Sequence, residues 1–120
     1  IFAVISYQTF TLSTNLNALN KAILDIPISY FEISVKLINS ITGHIYFDQR
    51  KLMDHLDEYF LVEVGHIVND YEVNYEFYYT SDKSICLNNQ CDGVRVNLKA
   101  RVIFNYNFDK TTYYEITEAR

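Results

Sequence analysis

The chain has 120 residues, 49% of them hydrophobic and 21% charged. That is the length of one domain and the composition of a globular protein, and it excludes a disordered tail. Net charge is −5, which argues against nucleic-acid binding, since that class shows a basic patch or a high isoelectric point. One proline and three glycines leave almost no linker material, so residues 1–120 are expected to form a single domain.

The chain opens on an apolar run, Ile1-Phe2-Ala3-Val4-Ile5. A membrane-spanning helix needs about 20 apolar residues, so the run reads either as the end of a membrane anchor or as a buried helix start. Leu12, Leu16, Leu19 and Ile23 then fall on one helical stripe opposite a polar face of Ser, Thr and Asn. Residues 1–24 are therefore expected to make one long N-terminal helix. Pro27 interrupts it, and Asp25 is placed to cap a second helix.

Residues 25–70 are read as a helical region. Phe31, Val35, Ile38 and Ile41 suit a helix that stops at Gly43, although Ile33, Val35 and Leu37 suit strand alternation as well. Asp48 is a good N-cap for the next helix, whose apolar stripe is Leu52, Leu56, Tyr59, Phe60 and Val64.

At residue 71 the period changes to two. Tyr71, Val73, Tyr75, Phe77 and Tyr79 alternate with polar residues, and Val94, Val96, Leu98, Ala100, Val102, Phe104, Tyr106 and Phe108 repeat the pattern. Such alternation marks strands with one buried and one wet face. Residues 107–110 read as a turn, and 111–117 as a third strand with Tyr114 and Ile116 inward. The expected fold is α+β: N-terminal helices, then a three-stranded antiparallel meander over 71–120, packed on a helix.

Opposite charges mark the wet face. Glu72, Glu76 and Glu115 lie on the outer strands and Arg95, Lys99 and Arg101 on the middle one. They suit cross-strand ion pairs that set register, with an anion-binding patch as the alternative.

Cys86 and Cys91 bracket a polar stretch, Leu87-Asn88-Asn89-Gln90. A disulfide across it is geometrically plausible and implies an oxidising compartment. Free thiols and half of a metal site are the rivals, but four intervening residues do not make a redox CxxC, and no second ligand pair with zinc spacing exists. His44, His55 and His66 are spaced by eleven, so His55 and His66 would share a helix face about 16 Å apart, too far to share an ion. No phosphate loop, nucleophile elbow or HExxH is present. No catalytic, cofactor-binding or metal-ligating residue is assigned, and no cofactor is expected.

An apolar N-terminal stub, an amphipathic helix from Leu12 to Ile23, a second helical region and a meander carrying Cys86-Leu87-Asn88-Asn89-Gln90-Cys91-Asp92-Gly93-Val94-Arg95-Val96 follow in that order. This order of parts resembles membrane-anchored pilin-like proteins, and more closely the TadE/TadG-like components of tight-adherence pilus systems. The resemblance implies an N-terminal membrane helix, an exported domain, and a non-catalytic structural or assembly role at the cell surface. Protein partners are expected, either like subunits or a membrane secretion complex. Arg95, Lys99, Arg101, Tyr78 and Tyr113 are the expected interaction surface. The alternative is a small pocketed enzyme or ligand binder whose cavity is lined by Tyr75, Phe77, Tyr79, Phe104, Tyr106 and Tyr114.

Overall fold

The computed structural model describes the backbone of residues 2–32, 36–86, 90–102 and 106–116, and the side chains of 12–31, 37–86, 90–102 and 106–116. Helix α1 spans Phe2–Leu24. Leu19 and Ile23 are fully buried and Leu12 and Leu16 pack beside them, so the stripe expected from the sequence is the face that meets the sheet. The Asp25 N–H bonds back to the Lys21 carbonyl at 2.9 Å and closes this helix. Pro27 follows, and α2 (Ser29–Glu32) is a single turn.

The chain then departs from the helical expectation for 25–70. Strand β1 (Lys36–Ile38) pairs antiparallel with β2 (Ile45–Phe47), with Leu37 opposite Tyr46. Asn39 decides the reversal. Its side-chain oxygen accepts from the N–H groups of Ile41 (2.9 Å) and Thr42 (3.2 Å), and its backbone N–H donates to the His44 carbonyl at 2.8 Å. An asparagine that serves local N–H groups competes with helical bonding. Gly43 takes φ +74°, so it closes a turn rather than ending a helix. The sequence match to helix rested on Phe31, Val35, Ile38 and Ile41. Ile38 lies in a strand and Ile41 is 93% exposed at the hairpin tip, while Ile33 and Val35 lie outside the described residues.

Helix α3 (Gln49–Glu63) begins as expected, with the Asp48 carboxylate accepting from the Lys51 N–H at 3.3 Å. Leu52, Leu56, Tyr59 and Phe60 are its buried face. Strands β3 (Tyr71–Tyr78), β4 (Gly93–Val102) and β5 (Tyr106–Glu115) form an antiparallel sheet in the order β3-β4-β5, and the α+β class stands. The even residues of β4 from Val94 to Val102 are all buried. Helix α1 lies against β4 and β5, and α3 against β3.

Residues 107–110 are not the turn. They belong to β5, and the chain reverses between Val102 and Tyr106, which pair. Partners in this hairpin sum to an even number, so even residues keep to the core face on both strands. The alternation therefore runs on through the reversal and conceals it. Phe104, expected inward, and Thr117, the expected end of the last strand, lie outside the described residues.

Candidate functional site: a fastened sheet end and a polar sheet face

Beyond Tyr78 the chain turns sharply. Lys83, at φ 63°, donates its N–H to the Tyr79 carbonyl, and the Tyr79 N–H donates to the Ser84 carbonyl. Ile85 bridges back to Tyr78, and the Cys86 N–H donates to Phe77 at 2.9 Å, so this segment lies along the outer edge of β3. Cys86 and Cys91 form a disulfide with Cα atoms 5.9 Å apart. Cys91 is fully buried and Cys86 nearly so.

The bridge is fastened to the β1–β2 hairpin and to the first residue of α3. The Phe47 N–H donates to the Cys91 carbonyl at 2.9 Å, Gln49 Nε2 lies 3.0 Å from Cys91 Sγ, and Asn39 Nδ2 donates to Gln90 Oε1 at 3.2 Å. His44 Nε2 is 3.4 Å from the Gln90 carbonyl. The hairpin that sequence reasoning read as helix is thus the platform for the cysteine loop. Residues 87–89 lie outside the described set.

On the polar face, the Tyr78 ring lies across the backbone of Gly93, its cross-strand partner. A Cβ on Gly93 would meet ring atoms at 2.6–2.9 Å, so only glycine lets the ring lie there. The Tyr78 hydroxyl donates to Glu115 at 2.8 Å, Lys83 pairs with the same carboxylate, and the Lys83 ammonium stands 5.6 Å from the Tyr78 ring centre. Lys83 and then the Tyr78 hydroxyl hold the Glu115 carboxyl below its ordinary range. Burial, and then the bond to Glu115, push the Tyr78 phenol up.

The three cations expected at an interaction surface do share this face, but each stands beside an acid. Arg95 meets Glu76 at 3.5 Å and Arg101 meets Asp70 at 4.0 Å. Lys99 lies in register with Glu72 and Asp109. Asn97, which no sequence motif marks, ties the strands together by donating to Asp109 (2.7 Å) and Thr111 (3.0 Å). The shallow groove over these residues, about 490 Å³, is close to neutral and does not suit an anion. Tyr113 is 62% exposed, whereas Tyr78 is buried beneath it with the ring centres 6.4 Å apart. The burial of Tyr78 follows from Gly93, a pairing across strands that no local pattern reveals.

Rings cluster on one part of the core face. Phe31 stacks on Tyr114 at 4.4 Å, and Phe47 lies 6.0 Å from Phe77 and 6.1 Å from Tyr114. Tyr75 and Tyr59 spend their hydroxyls on cross-links. Tyr75 donates to Asp57 at 2.6 Å, and Tyr59 to the Ala22 carbonyl at 2.7 Å. Burial, with lesser help from Glu63 and Asp25, pushes the Tyr59 phenol up to about 12.

His66 Nδ1 lies 2.8 Å from the Val62 carbonyl, and His44 stacks near Tyr46, so the three histidines do not gather. Among the described residues no group of three or more His, Cys, Asp or Glu could hold a metal, and no helix is long and apolar enough to cross a membrane. Comparisons with protein-family models, with curated proteins and with solved structures find no match.

Proposed function

We propose that the chain is a non-catalytic, extracytoplasmic assembly component of a cell-surface or pilus-like apparatus, tethered to the membrane on its N-terminal side. The buried Cys86–Cys91 bridge carries this reading. Structural disulfides persist in oxidising compartments and are rare where thiols are kept reduced. A bridge tied by a backbone bond to a separate hairpin and by a side-chain bond to the start of α3 serves the shape of a surface.

Two further features favour docking over turnover. Rings occupy the core face where the pocketed alternative needs a cavity, and the charges on the polar face neutralise one another. The pilus-like context rests on the order of parts alone, a long helix first and a cysteine-bearing meander last.

The test is thiol counting on chain isolated from its native cells under alkylating conditions. Neither cysteine should react until the protein is unfolded and reduced, and the chain should fractionate with the envelope. Two reactive thiols in chain from the soluble cytosol would overturn the proposal.

A further inference from the structure

Strand β5 is ten residues long, contains no proline and pairs with β4 without a bulge. Among the described residues no strand pairs with its other side. The hydrogen bonds at the ends of the sheet fix which way its backbone groups point. The Ile116 N–H donates to the Asp92 carbonyl at 2.8 Å, so even residues of β5 bond toward β4. The Arg101 N–H donates to the Asp70 carbonyl at 2.9 Å, so odd residues of β4 bond toward β3, which is the same parity seen from the other side. In an antiparallel ladder this leaves N–H and C=O of Asn107, Asp109, Thr111, Tyr113 and Glu115 aimed away from the sheet. Such an edge is a template for a further strand.

The side chains say which strand fits. Outward groups can pair only odd with odd, so an antiparallel pair of β5 strands has few symmetric registers. An axis through Lys110 sets two lysines opposite each other. An axis through Thr112 sets Asp109 opposite the partner's Glu115, twice. Like charges directly opposite are destabilising. An axis through Thr111 avoids both. It places Thr111 opposite the partner's Thr111, Asp109 opposite the partner's Tyr113, and Asn107 opposite the partner's Glu115. On the core side it places Phe108 opposite the partner's Tyr114, and Lys110 opposite the partner's Thr112. Thr–Thr and aromatic cross-strand pairs are favourable ones.

We propose that β5 docks a second copy of this chain, antiparallel about a two-fold axis at Thr111, to give one continuous six-stranded sheet. This self-pairing deepens the assembly reading by naming the surface and the partner. It does not depend on the compartment, so thiol counting and the experiment below fail separately.

Sedimentation equilibrium on the oxidised chain should show a concentration-dependent dimer. Thr111→Lys and Thr111→Glu should each weaken it by about tenfold or more. Mixed in equal amounts, the two variants should recover a mixed dimer. Thr111→Pro, which removes an outward N–H and leaves the backbone bonds to β4 intact, should also yield monomer. Far-UV circular dichroism checks that each variant folds, and the wild-type mass needs no variant. A wild-type chain that stays monomeric at every concentration overturns the inference. So does a dimer indifferent to charge at Thr111.

Discussion

The two edges of the sheet are built differently. Along β3, the segment from Ser84 to Cys86 covers the end of the strand, and the disulfide joins that segment to Cys91, whose carbonyl the hairpin's Phe47 bonds. Along β5, the five outward pairs of backbone groups have no strand beside them among the described residues. Exposed edges invite pairing, and proteins commonly blunt them with proline, bulges or a covering segment. Here the end of β3, from Phe77 to Tyr79, is covered by a segment that a disulfide holds, while β5 keeps a regular, unbulged strand along its whole length. The difference teaches that covalent reinforcement is placed at one end of one edge strand, while the opposite edge strand has none.

Substitutions at the covered side should cost the most. Phe47→Ala removes the ring that joins the hairpin to Phe77 and Tyr114, and should destabilise by about 3–5 kcal/mol in urea unfolding. Replacing both cysteines by alanine frees the covering segment and should cost about 2–3 kcal/mol by the same assay, for a loop this short. Gly93→Ala drives a methyl into the Tyr78 ring and should cost about 1–3 kcal/mol. Combined with Tyr78→Ala it should cost less than the sum of the two substitutions alone, because the ring that clashes is gone.

Smaller effects follow from pH. The Tyr78 phenol is raised in the folded chain, so its contribution is complete below the ordinary phenol range and is lost as pH rises past it. Glu115 is lowered, so its contribution is present above the ordinary carboxylate range and is lost as pH falls. Tyr78→Phe should therefore flatten the alkaline limb of a stability-against-pH curve measured by urea unfolding. On the open side, Lys110→Gln should change the stability of the monomer by no more than about 0.5 kcal/mol in the same assay, because its side chain is exposed. A large loss there would mean that β5 is covered after all.

The covered side was also the harder one to read from sequence. The helical stripe of α1, the Asp48 cap and the alternation in β3 and β4 depend on neighbours a few residues apart, and each was visible. The β1–β2 hairpin was not, because its apolar residues match helical and strand periods equally and a single side chain, Asn39, decides between them. The reversal before Tyr106 was masked by a pairing that preserves parity. Tyr78 holds a wet-face position in β3, and its burial depends on Gly93 across the sheet, which no local pattern shows. The cysteine spacing suggested a bridge but not what the bridge is tied to, since Phe47 and Gln49 lie more than forty residues away in sequence.

The most direct test of a covered end on β3 and an open edge on β5 is amide hydrogen exchange, followed residue by residue on dilute, oxidised chain. Protection should alternate along β5, with Phe108, Lys110, Thr112 and Tyr114 slow and Asp109, Thr111 and Tyr113 fast. The Cys86 and Tyr79 amides on the covered edge of β3 should be slow. Uniform slow exchange along β5 in the dilute chain would contradict the open edge, and fast exchange at Cys86 and Tyr79 would contradict the covered one.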